Sequence, residues 1–348
     1  MKYFTLKIVE IQKDTPDVIT IFFKQPGLKK VKYKAGQYLT VVVRVNGRKY
    51  IRPYSLSSAP NIDSHLAITL KRIPGGIVSN YLYDHAKVDE LLEVVEPMGD
   101  FIFDPESHDA KLDHIMLWGA GTGITPLLSI IKTALHTSPL IKTELFYCNR
   151  NPEHTIFKTE LTTLQQQYPE RFTIHYFYTQ LPEDIYLNYH IPGRIDDLKI
   201  TSVLSKHHNL NSTYHYICGP AGLKETVKSS LKTLNILPEN ILSEEFEVLI
   251  DPQEFDDIET REIAFTDGGA DTKVEVIKGK SILDAGLDAL IDLPYSCQTG
   301  TCMLCKAKLV SGKVKVIGVD KMPEELVDDD CLLCCSYPYT DDVKILIN

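Results

Sequence analysis

Cysteine spacing near the C-terminus is the pattern in this sequence that most directly suggests chemistry. Cys297, Cys302 and Cys305 stand at C-x4-C-x2-C spacing, and three more cysteines lie between residues 331 and 335. Thiolates are the soft ligands that iron–sulfur clusters require. Three thiolates at this spacing, completed by a fourth further along the chain, are the ligand pattern of a [2Fe–2S] cluster. The sequence therefore predicts such a cluster in the last part of the chain.

A structural zinc site is the alternative interpretation of the same cysteines. Cys302 and Cys305 form one C-x2-C pair and Cys331 and Cys334 form a second, an arrangement that binds zinc. This alternative leaves Cys297 unused, although Cys297 stands at the interval that a cluster requires. A disulfide framework is disfavoured, because the N-terminal residues carry no secretory signal.

Length and composition indicate a globular protein of several domains. A chain of 348 residues is long enough for two or three domains, each with its own core. The formal net charge of −10 argues against non-specific nucleic-acid binding, which needs a basic surface. No apolar run approaches the roughly 20 residues of a membrane span, and the N-terminus has neither an apolar signal core nor an Arg-rich presequence. A cytoplasmic protein with reduced thiols is expected.

Residues 1–107 have the pattern of an antiparallel β-barrel. Segments rich in Val, Ile, Thr, Tyr and Phe are separated by turn residues such as Asn46-Gly47. One helix is expected at Ser79–His85, with Ser79 as its N-cap. Six strands and one helix predict a small barrel. The expected strands are Phe4–Ile11, Val18–Lys24, Gln37–Val45, Lys49–Ser57, His65–Arg72 and Leu91–Glu96.

Two short stretches inside this barrel combine residues that could hold a flat ring system and a diphosphate. In the first, Arg52 could clamp a phosphate, the Tyr54 ring could cover a ring system, and the Ser55 hydroxyl could bond a ring nitrogen. In the second, a glycine pair leads into a helix N-terminus, where backbone N–H groups bind anions. A strand edge and a plain hairpin turn are the structural alternatives. The candidate residues are Arg52, Pro53, Tyr54, Ser55, Gly75, Gly76, Val78 and Ser79.

From residue 108 to residue 247 short apolar strands alternate with helices. This alternation predicts a parallel sheet that is covered by helices on both faces. The expected strands are His114–Trp118, Thr143–Cys148, Thr173–Tyr178, Tyr214–Cys218 and Ile241–Phe246. The expected helices are Pro126–His136, Ile156–Gln167, Val203–His207 and Gly222–Leu234.

A glycine-rich loop joins the first of these strands to the first helix. In Gly119–Pro126 the third glycine comes one residue earlier than in the G-x-G-x-x-G dinucleotide signature. A Gly-rich strand-to-helix turn nevertheless lets a pyrophosphate approach backbone N–H groups at the positive end of a helix. Thr125 is expected as the helix cap, with Pro126 at the first helical position. The candidate binding residues of this loop are Gly121, Thr122, Gly123, Thr125 and Pro126.

The second strand of this region ends in Asn149-Arg150, at the position where dinucleotide-binding folds select their cofactor. An acidic residue near this position takes the ribose 2′-OH of NADH, whereas an Arg accepts the 2′-phosphate of NADPH. Arg150 therefore favours NADPH over NADH, although Glu153 stands nearby. A solvated surface arginine is the structural alternative.

In this order, the motifs resemble those of the ferredoxin–NADP reductase superfamily. That family has a flavin domain with R-x-Y-S and a nicotinamide domain with a G-x-G-x-G-x-x-P loop, which match Arg52–Ser55 and Gly119–Pro126. The resemblance implies that FAD is bound, with its diphosphate held by Arg52 and Ser79. It also implies that the isoalloxazine ring lies against Tyr54, which follows Pro53, with the Ser55 hydroxyl near the N5 atom of the flavin.

The resemblance extends to two further groups of residues beside the nicotinamide. A Cys-Gly-Pro turn would lie where hydride leaves the nicotinamide, and a buried cysteine acting as a small hydrophobic residue is the alternative. The end of the last strand implies a carboxylate near the nicotinamide and an aromatic ring that shields the flavin. These residues are Cys218, Gly219, Pro220, Glu245 and Phe246. Catalytic roles are implied for Ser55, Cys218, Glu245 and Phe246.

The last part of the chain resembles a ferredoxin domain. Residues 248–260 are acidic and aperiodic and are predicted to be a linker, which would tether a β-grasp domain at residues 261–348. Strands are expected at Arg261–Phe265, Lys273–Ile277, Lys306–Leu309 and Val343–Ile347, with a helix at Ser281–Ala289. The family motif L-x-C-x-x-Y-P implies Cys334 as the fourth cluster ligand, whereas the usual interval from the third ligand would select Cys335.

The resemblance implies a multidomain reductase with an antiparallel β-barrel for FAD, an α/β parallel-sheet nicotinamide domain and an α+β ferredoxin domain. The domain order is similar to that of the reductase components of phenylacetyl-CoA epoxidase and related multicomponent oxygenases. Electrons would pass from NADPH through FAD and the cluster to an oxygenase or another redox acceptor protein. A fatty-acid desaturase or hydroxylase and a Rieske dioxygenase are alternative acceptors. A redox-sensing iron–sulfur interaction protein is the alternative of another class, and the sequence leaves the oligomeric state open.

Overall fold

The computed structural model describes residues 2–25, 30–106, 112–181, 190–205, 207, 210–244, 246, 248, 250–319 and 322–347. The chain divides into two compact units, Met1–Glu245 and Phe246–Asn348. Within the described ranges, no helix is long and apolar enough to cross a membrane.

The first unit begins with a six-stranded antiparallel barrel. Its elements are β1 (Tyr3–Thr15), β2 (Val18–Lys24), β3 (Tyr38–Val45), β4 (Arg48–Ser55), β5 (Leu66–Lys71), α1 (Ile77–His85) and β6 (Leu91–Met98). The strand order is β4-β3-β6-β1-β2-β5. The sheet closes because the chain beyond β4 pairs with β5: Leu56 bridges Ile68, and the Ser57 N–H donates to the Ala67 carbonyl at 2.9 Å. The apolar side chains on the inner face of these strands are buried and form the core.

A six-stranded parallel sheet forms the rest of the first unit. Its strands are β7 (His114–Ala120), β8 (Lys142–Asn149), β9 (Phe172–Tyr178), β10 (His190–Pro192), β11 (Thr213–Cys218) and β12 (Ile241–Glu244). Its helices are α2 (Ile124–Thr137), α3 (Lys158–Gln167), α4 (Asp197–Leu204) and α5 (Ala221–Thr233). The strand order is β10-β9-β8-β7-β11-β12, so successive strands are added on one side of β7 up to β10 and on its other side from β11 onwards. Parallel sheets bind ligands in the crevice at the carboxyl ends of the two strands where this change occurs, here β7 and β11.

The barrel and the parallel sheet are joined by polar and aromatic contacts. The Ser129 hydroxyl on α2 donates to the Ser58 carbonyl at 2.6 Å, and the Tyr216 hydroxyl on β11 donates to the Ile102 carbonyl at 3.1 Å. The Phe101 ring meets the Tyr216 ring edge-on, with ring centroids 5.5 Å apart. These contacts hold the end of the barrel against the crevice side of the sheet.

The second unit is an α+β fold with the β-grasp arrangement of one helix against a mixed sheet. Its elements are β13 (Arg261–Asp267), β14 (Ala270–Val276), α6 (Ile282–Asp288), β15 (Lys306–Ser311), β16 (Val314–Val316), β17 (Asp330–Leu332), β18 (Ser336–Pro338) and β19 (Lys344–Leu346). The main sheet has the order β14-β13-β19-β15-β17, in which β13 and β19 are parallel, and β16 pairs with β18 separately. Ser281 caps α6, because its hydroxyl accepts from the Asp284 N–H at 3.1 Å.

The region predicted to be a linker is folded where the structure describes it. A 3₁₀ turn spans Pro252–Phe255, and the Phe255 ring meets the Tyr337 ring edge-on with centroids 5.1 Å apart. Ile258 is 1% exposed and belongs to the same apolar cluster. We call residues 251–258 the packed segment. Its contacts belong to the second unit, so the prediction of a free tether is wrong for these residues.

Two predicted helix starts are also wrong. The structure places the N-cap of α1 at Gly76, so Ser79 lies in the first turn and is not the cap. Helix α2 begins at Ile124 directly after a 3₁₀ turn, so Thr125 and Pro126 also lie inside the first turn. In both places a glycine-rich turn leads straight into the helix without a side-chain cap. At α2 the preceding 3₁₀ turn takes over part of this role, because its carbonyls accept from the Ile124 N–H.

The helix predicted at Val203–His207 is displaced. The structure has α4 at Asp197–Leu204, and the Asp196 side chain caps it by accepting from the Lys199 N–H at 2.9 Å. An Asp that is followed by apolar residues at helical spacing was the signal of this start.

Candidate functional site

Arg52, Pro53, Tyr54 and Ser55 lie at the end of β4. Pro53 is tolerated because β4 stands at one end of the strand order, where a missing backbone N–H costs little. Ser55 is 4% exposed, whereas the two residues before it are half-buried. Burial raises the pKa of Tyr54 to about 12, and the positive charge of Arg52 opposes this shift, so the two side chains lie close together.

The second predicted flavin stretch lies at the start of α1. Gly75 and Gly76 form the turn, and the Gly76 N–H donates to the Ile73 carbonyl at 2.9 Å. Val78 and Ser79 follow in the first helical turn and are buried. No acidic side chain lies in this turn, so the positive end of the helix is available to an anion.

These two stretches fit a flavin dinucleotide. A guanidinium and a helix N-terminus suit a diphosphate, and a half-buried tyrosine ring with a buried serine hydroxyl suits a flat, nitrogen-containing ring system. The donors all belong to the barrel.

The glycine loop lies at the carboxyl end of β7, as predicted from the sequence. Gly121–Gly123 forms a 3₁₀ turn, and the Gly121 carbonyl accepts from the Tyr147 hydroxyl at 2.9 Å. The Thr125 hydroxyl donates to the Thr122 carbonyl at 3.0 Å, which ties the turn to the helix that follows.

Gly123 allows the loops after β7 and β11 to approach each other. A Cβ at Gly123 would lie only 2.0 Å from the carbonyl oxygen of Cys218. The chain then continues through Gly219 and Pro220, and Pro220 is the N-cap position of α5. Two helix N-termini therefore flank the crevice, an arrangement that favours a dinucleotide pyrophosphate.

Residues from the barrel, β11 and β12 meet beside this crevice. The Ser55 hydroxyl donates to Glu244 Oε2 at 3.3 Å, and Glu244 pairs in register with Cys218 on the neighbouring strand. Burial raises the pKa of Glu244 to about 8, against the effect of the Ser55 hydrogen bond. Burial and the nearby Glu244 raise the pKa of Cys218 well above its usual value, so its thiol stays neutral.

Glu244 is a candidate site residue that the sequence did not indicate. The prediction chose Glu245, which lies outside the described residues, and Phe246, which is 44% exposed and belongs to the second unit. The missed signal was the strand itself: β12 runs parallel to β11, so the last residue of β12 stands beside the cysteine that ends β11.

Asn149 and Arg150 lie at the carboxyl end of β8, next to the strand that carries the glycine loop. Asn149 is 6% exposed, whereas Arg150 is exposed and its backbone carbonyl accepts from the Gln180 N–H at 2.8 Å. The guanidinium is therefore available at the edge of the crevice.

The four predicted cluster ligands form two close pairs in the second unit. The Cys302 N–H donates to Cys297 Sγ at 3.4 Å, and the Cys305 thiol donates to Cys334 Sγ. A hydrogen bond from the Cys302 thiol, with help from the Thr299 N–H, lowers the pKa of Cys297 to about 4. The pKa values of the other three cysteines are raised by their sulfur neighbours and by burial. Four sulfurs gathered in this manner, with backbone N–H groups aimed at two of them, suit a [2Fe–2S] cluster.

The two remaining cysteines of this unit face other partners. The Cys335 thiol donates to the Leu332 carbonyl at 3.4 Å, and the Cys331 thiol donates to the Ala307 carbonyl at 3.6 Å. Both are buried, at 4% and 3% exposure. The Cys334 thiol also contacts Cys335, and its contact with Cys305 is the one that joins it to the C-x2-C motif.

Comparison with known families assigns each part of the chain. Residues 5–103 match an oxidoreductase FAD-binding domain, residues 117–229 match an oxidoreductase NAD-binding domain, and residues 265–339 match a 2Fe-2S iron-sulfur cluster binding domain. The zinc alternative is not supported.

Relatives with the same arrangement are oxygenase reductases. The chain is 30% identical to a component of the 1,2-phenylacetyl-CoA epoxidase of Escherichia coli (strain K12), over 99% of this chain and 97% of that protein. It is also 30% identical to the ferredoxin reductase component of 3-ketosteroid-9-alpha-monooxygenase of Rhodococcus rhodochrous, over 98% and 95%. The fold matches that of phthalate dioxygenase reductase with a TM-score of 0.68 and 25% identity, over 99% and 98%.

The chain belongs to the ferredoxin–NADP reductase family, in the group that carries a C-terminal [2Fe–2S] domain. It is an NAD(P)H-dependent flavin iron–sulfur oxidoreductase with FAD, a pyridine nucleotide and one [2Fe–2S] cluster as cofactors. The predicted fold class is confirmed. The predicted domain boundaries stay predictions.

Proposed function

We propose that this chain is the reductase component of a multicomponent oxygenase of the phenylacetyl-CoA epoxidase type. It takes hydride from NADPH and delivers electrons through its [2Fe–2S] cluster to the oxygenase component. The observation that carries the proposal is the meeting of Ser55, Cys218 and Glu244, because it joins the flavin stretch to the nicotinamide crevice. The Escherichia coli relative, which matches over nearly its whole length, supports an epoxidase as the acceptor.

FAD, when bound, supplies the conversion of a two-electron hydride into single electrons. The residues of the chain hold and orient the reacting rings. The Ser55 hydroxyl is fixed by Glu244, and the raised pKa of Glu244 lets its carboxyl keep a proton near neutral pH, without a negative charge beside the hydride donor. The neutral Cys218 thiol, 1% exposed, excludes water from the same place.

We assign the preference for NADPH to Arg150. Its exposed guanidinium at the end of β8 suits the 2′-phosphate, which NADH lacks. Replacing Arg150 by alanine should raise KM for NADPH on the order of 10-fold or more and leave KM for NADH nearly unchanged, because a charge-assisted phosphate contact is lost. Equal losses with both nucleotides would contradict this role.

The cluster ligands in this proposal are Cys297, Cys302, Cys305 and Cys334. Their thiols lie in two pairs, and the motif L-x-C-x-x-Y-P supports Cys334 rather than its neighbour Cys335 as the fourth ligand. We also keep Glu245 and Phe246 in the proposal, as a second carboxylate and a ring that shields the flavin. Glu244 is the better candidate for the carboxylate, since it already contacts the flavin stretch.

The relatives do not favour a fatty-acid desaturase or hydroxylase as the acceptor, nor a redox-sensing protein as the function. The 3-ketosteroid-9-alpha-monooxygenase reductase, at equal identity, keeps other oxygenases open as acceptors. We further propose a cytoplasmic location, because thiolates that ligate a cluster need reducing surroundings.

The proposal is tested in two stages. Anaerobic titration of the purified protein with NADPH should bleach the flavin bands and then the cluster bands in the visible spectrum. Addition of an epoxidase oxygenase component with an aryl-acetyl-CoA substrate should then couple NADPH use to product. Bleaching without coupling would retain the reductase and reject the epoxidase as acceptor, whereas absence of bleaching would reject the electron path itself.

A further inference from the structure

Histidines and a glutamate gather on one face of the parallel sheet, away from the glycine loop. His114 is the first residue of β7, whereas the loop follows the other end of that strand. Glu144 and His175 lie on β8 and β9, and His207 follows α4, the helix that covers this face. None of these residues belongs to the flavin, nicotinamide or cluster sites.

We propose that His114, Glu144 and His207 form a binding site for a divalent transition-metal ion, with zinc as the ion that suits these ligands. The nitrogens Nε2 of His114 and His207 lie 3.1 and 3.4 Å from Glu144 Oε1. The three ligand atoms all lie within 4.8 Å of one another. Imidazole nitrogen and carboxylate oxygen are ligands that zinc accepts.

The distances match the edge of a zinc coordination shell. Bonds of about 2.0–2.1 Å in a tetrahedral site place neighbouring ligand atoms about 3.3 Å apart. The two histidine–glutamate separations lie on either side of this value. The two imidazole rings meet at 84°, with centroids 5.1 Å apart, so their nitrogens converge on the carboxylate from different directions. A small shift of either ring would complete the geometry.

The surroundings orient the carboxylate as they do in known metal sites. His175 Nε2 lies 3.2 Å from Glu144 Oε2, the oxygen that faces away from the other two histidines, and so holds the carboxylate in place. The other oxygen, Oε1, is the one that faces His114 and His207.

A fourth histidine lies on the strand next to β7. His215 on β11 is fully buried, and its Nδ1 accepts from the Trp118 indole N–H at 3.2 Å. This hydrogen bond uses the lone pair of the ring, so His215 is not one of the proposed ligands.

The ion would fasten the chain after α4 to the edge of the sheet. Its ligands come from β7, β8 and the segment that follows α4, and their side chains are 14%, 16% and 20% exposed. Three protein ligands leave the fourth position of a tetrahedral zinc ion to water, and the site lies apart from the redox centres.

The decisive experiment uses the full chain with flavin and cluster bound. Equilibrium dialysis of the chelator-treated protein against buffered Zn²⁺ should give one zinc per flavin for the wild type. His207→Ala and Glu144→Gln should each weaken zinc binding at least about 10-fold, and the control His85→Ala, an exposed residue of α1, should bind like the wild type. No zinc on the wild type, or equal binding by all variants, would overturn the proposal.

X-ray absorption at the zinc edge distinguishes this site from zinc taken up by the cysteines. A shell of nitrogen and oxygen near about 2.0 Å supports the histidine–glutamate site, whereas sulfur near about 2.3 Å overturns it. This measurement needs only the wild type, so it holds even if a variant folds poorly. A zinc-dependent rise in Tm that is absent from His207→Ala completes the test.

Discussion

Glu244 is a buried carboxyl group, and its ionisation lowers the stability of the folded chain. Burial raises its pKa from 4.5 to about 8, so the folded chain keeps a proton that the unfolded chain releases. Stability contributed by this proton is complete below pH 4.5 and is lost as the pH rises to about 8. Above that pH the penalty of the ionised group is constant.

We therefore expect Glu244→Gln to become more stable than the wild type as the pH rises. The difference should grow by up to about 1.4 kcal/mol per pH unit between the two pKa values, because one proton separates the folded and unfolded states. Urea unfolding at a series of pH values measures it. In Ser55→Ala the Glu244 carboxylate loses a hydrogen bond, so the pKa of Glu244 in the folded chain should rise. The pH above which stability stops falling should therefore be higher in this variant. A pH-independent difference would contradict the assignment.

Neighbouring cysteines of the second unit should behave differently on substitution. Cys334→Ser removes a thiol that pairs with Cys305, and we expect the iron content and the visible cluster absorption to fall close to zero. Cys335→Ser should keep the cluster, because a serine hydroxyl can still donate to the Leu332 carbonyl. Iron and acid-labile sulfide per flavin are the measurements, and the opposite pattern would make Cys335 the fourth ligand.

At the scale of elements, the approach of two loops depends on one glycine. In Gly123→Ala the new Cβ would overlap the Cys218 carbonyl, so the loops must separate. We expect a loss of about 1–3 kcal/mol in stability and on the order of 10-fold or more in kcat/KM for NADPH, because the nicotinamide is misplaced.

Gly222→Ala is the matched control for this substitution. It lies in the first turn of α5, and a Cβ there would meet nothing within 4 Å. Its stability should be unchanged or higher by up to about 1 kcal/mol, since alanine favours a helix. If both variants lose NADPH activity equally, the close approach is not the cause.

Elements with a long and regular pattern could be predicted from the sequence, and short ones could not. Strand β2 has the bounds predicted for it, because a run rich in β-branched and aromatic residues stands between two stretches with Pro in the sequence. The three-residue strands β16 and β18 exist through pairing across the 19 residues between them, which no local pattern records. The same reason explains Glu244: its position follows from a strand pairing and not from a motif.

Sequence motifs predicted where the glycine turns lie more accurately than candidate capping residues predicted where the helices begin. Both glycine turns stand at helix starts as expected, because a turn that exposes N–H groups is a local property. The packed segment was missed because its apolar residues, Phe255 and Ile258, are isolated in an acidic sequence and find partners only in the folded unit.

At the scale of the whole molecule, a lysine joins the barrel to the helices of the first unit. On α2, Lys132 Nζ lies 2.5 Å from Asp63 Oδ2 and 2.8 Å from Glu160 Oε1, and only 10% of the lysine side chain is exposed. Lys132→Met keeps the apolar stem but leaves the two carboxylates without a counter-charge. Since both carboxylates are partly solvated, we expect a loss of about 1–3 kcal/mol, below the cost of breaking a fully buried pair.

The control for this variant is Lys7→Met, which breaks an exposed ion pair in the same unit. Lys7 Nζ and Asp89 Oδ1 lie 2.7 Å apart, but the two side chains are 46% and 76% exposed. The loss in the free energy of unfolding should therefore be about 0–1 kcal/mol. Urea unfolding of the flavin-loaded protein measures both variants. Equal losses would show that the position of Lys132 between barrel and helices has no special effect.

The packed segment determines which piece of the chain can be exchanged between proteins. A recombined ferredoxin module cut at Arg261, where β13 begins, would leave behind Phe255 and Ile258. The ring of Tyr337, three residues after Cys334, would then face water on the side that Phe255 covers. A ferredoxin module that is transferred to another protein therefore has to include the packed segment as well as the β-grasp fold. A recombination point that keeps these contacts lies before residue 251.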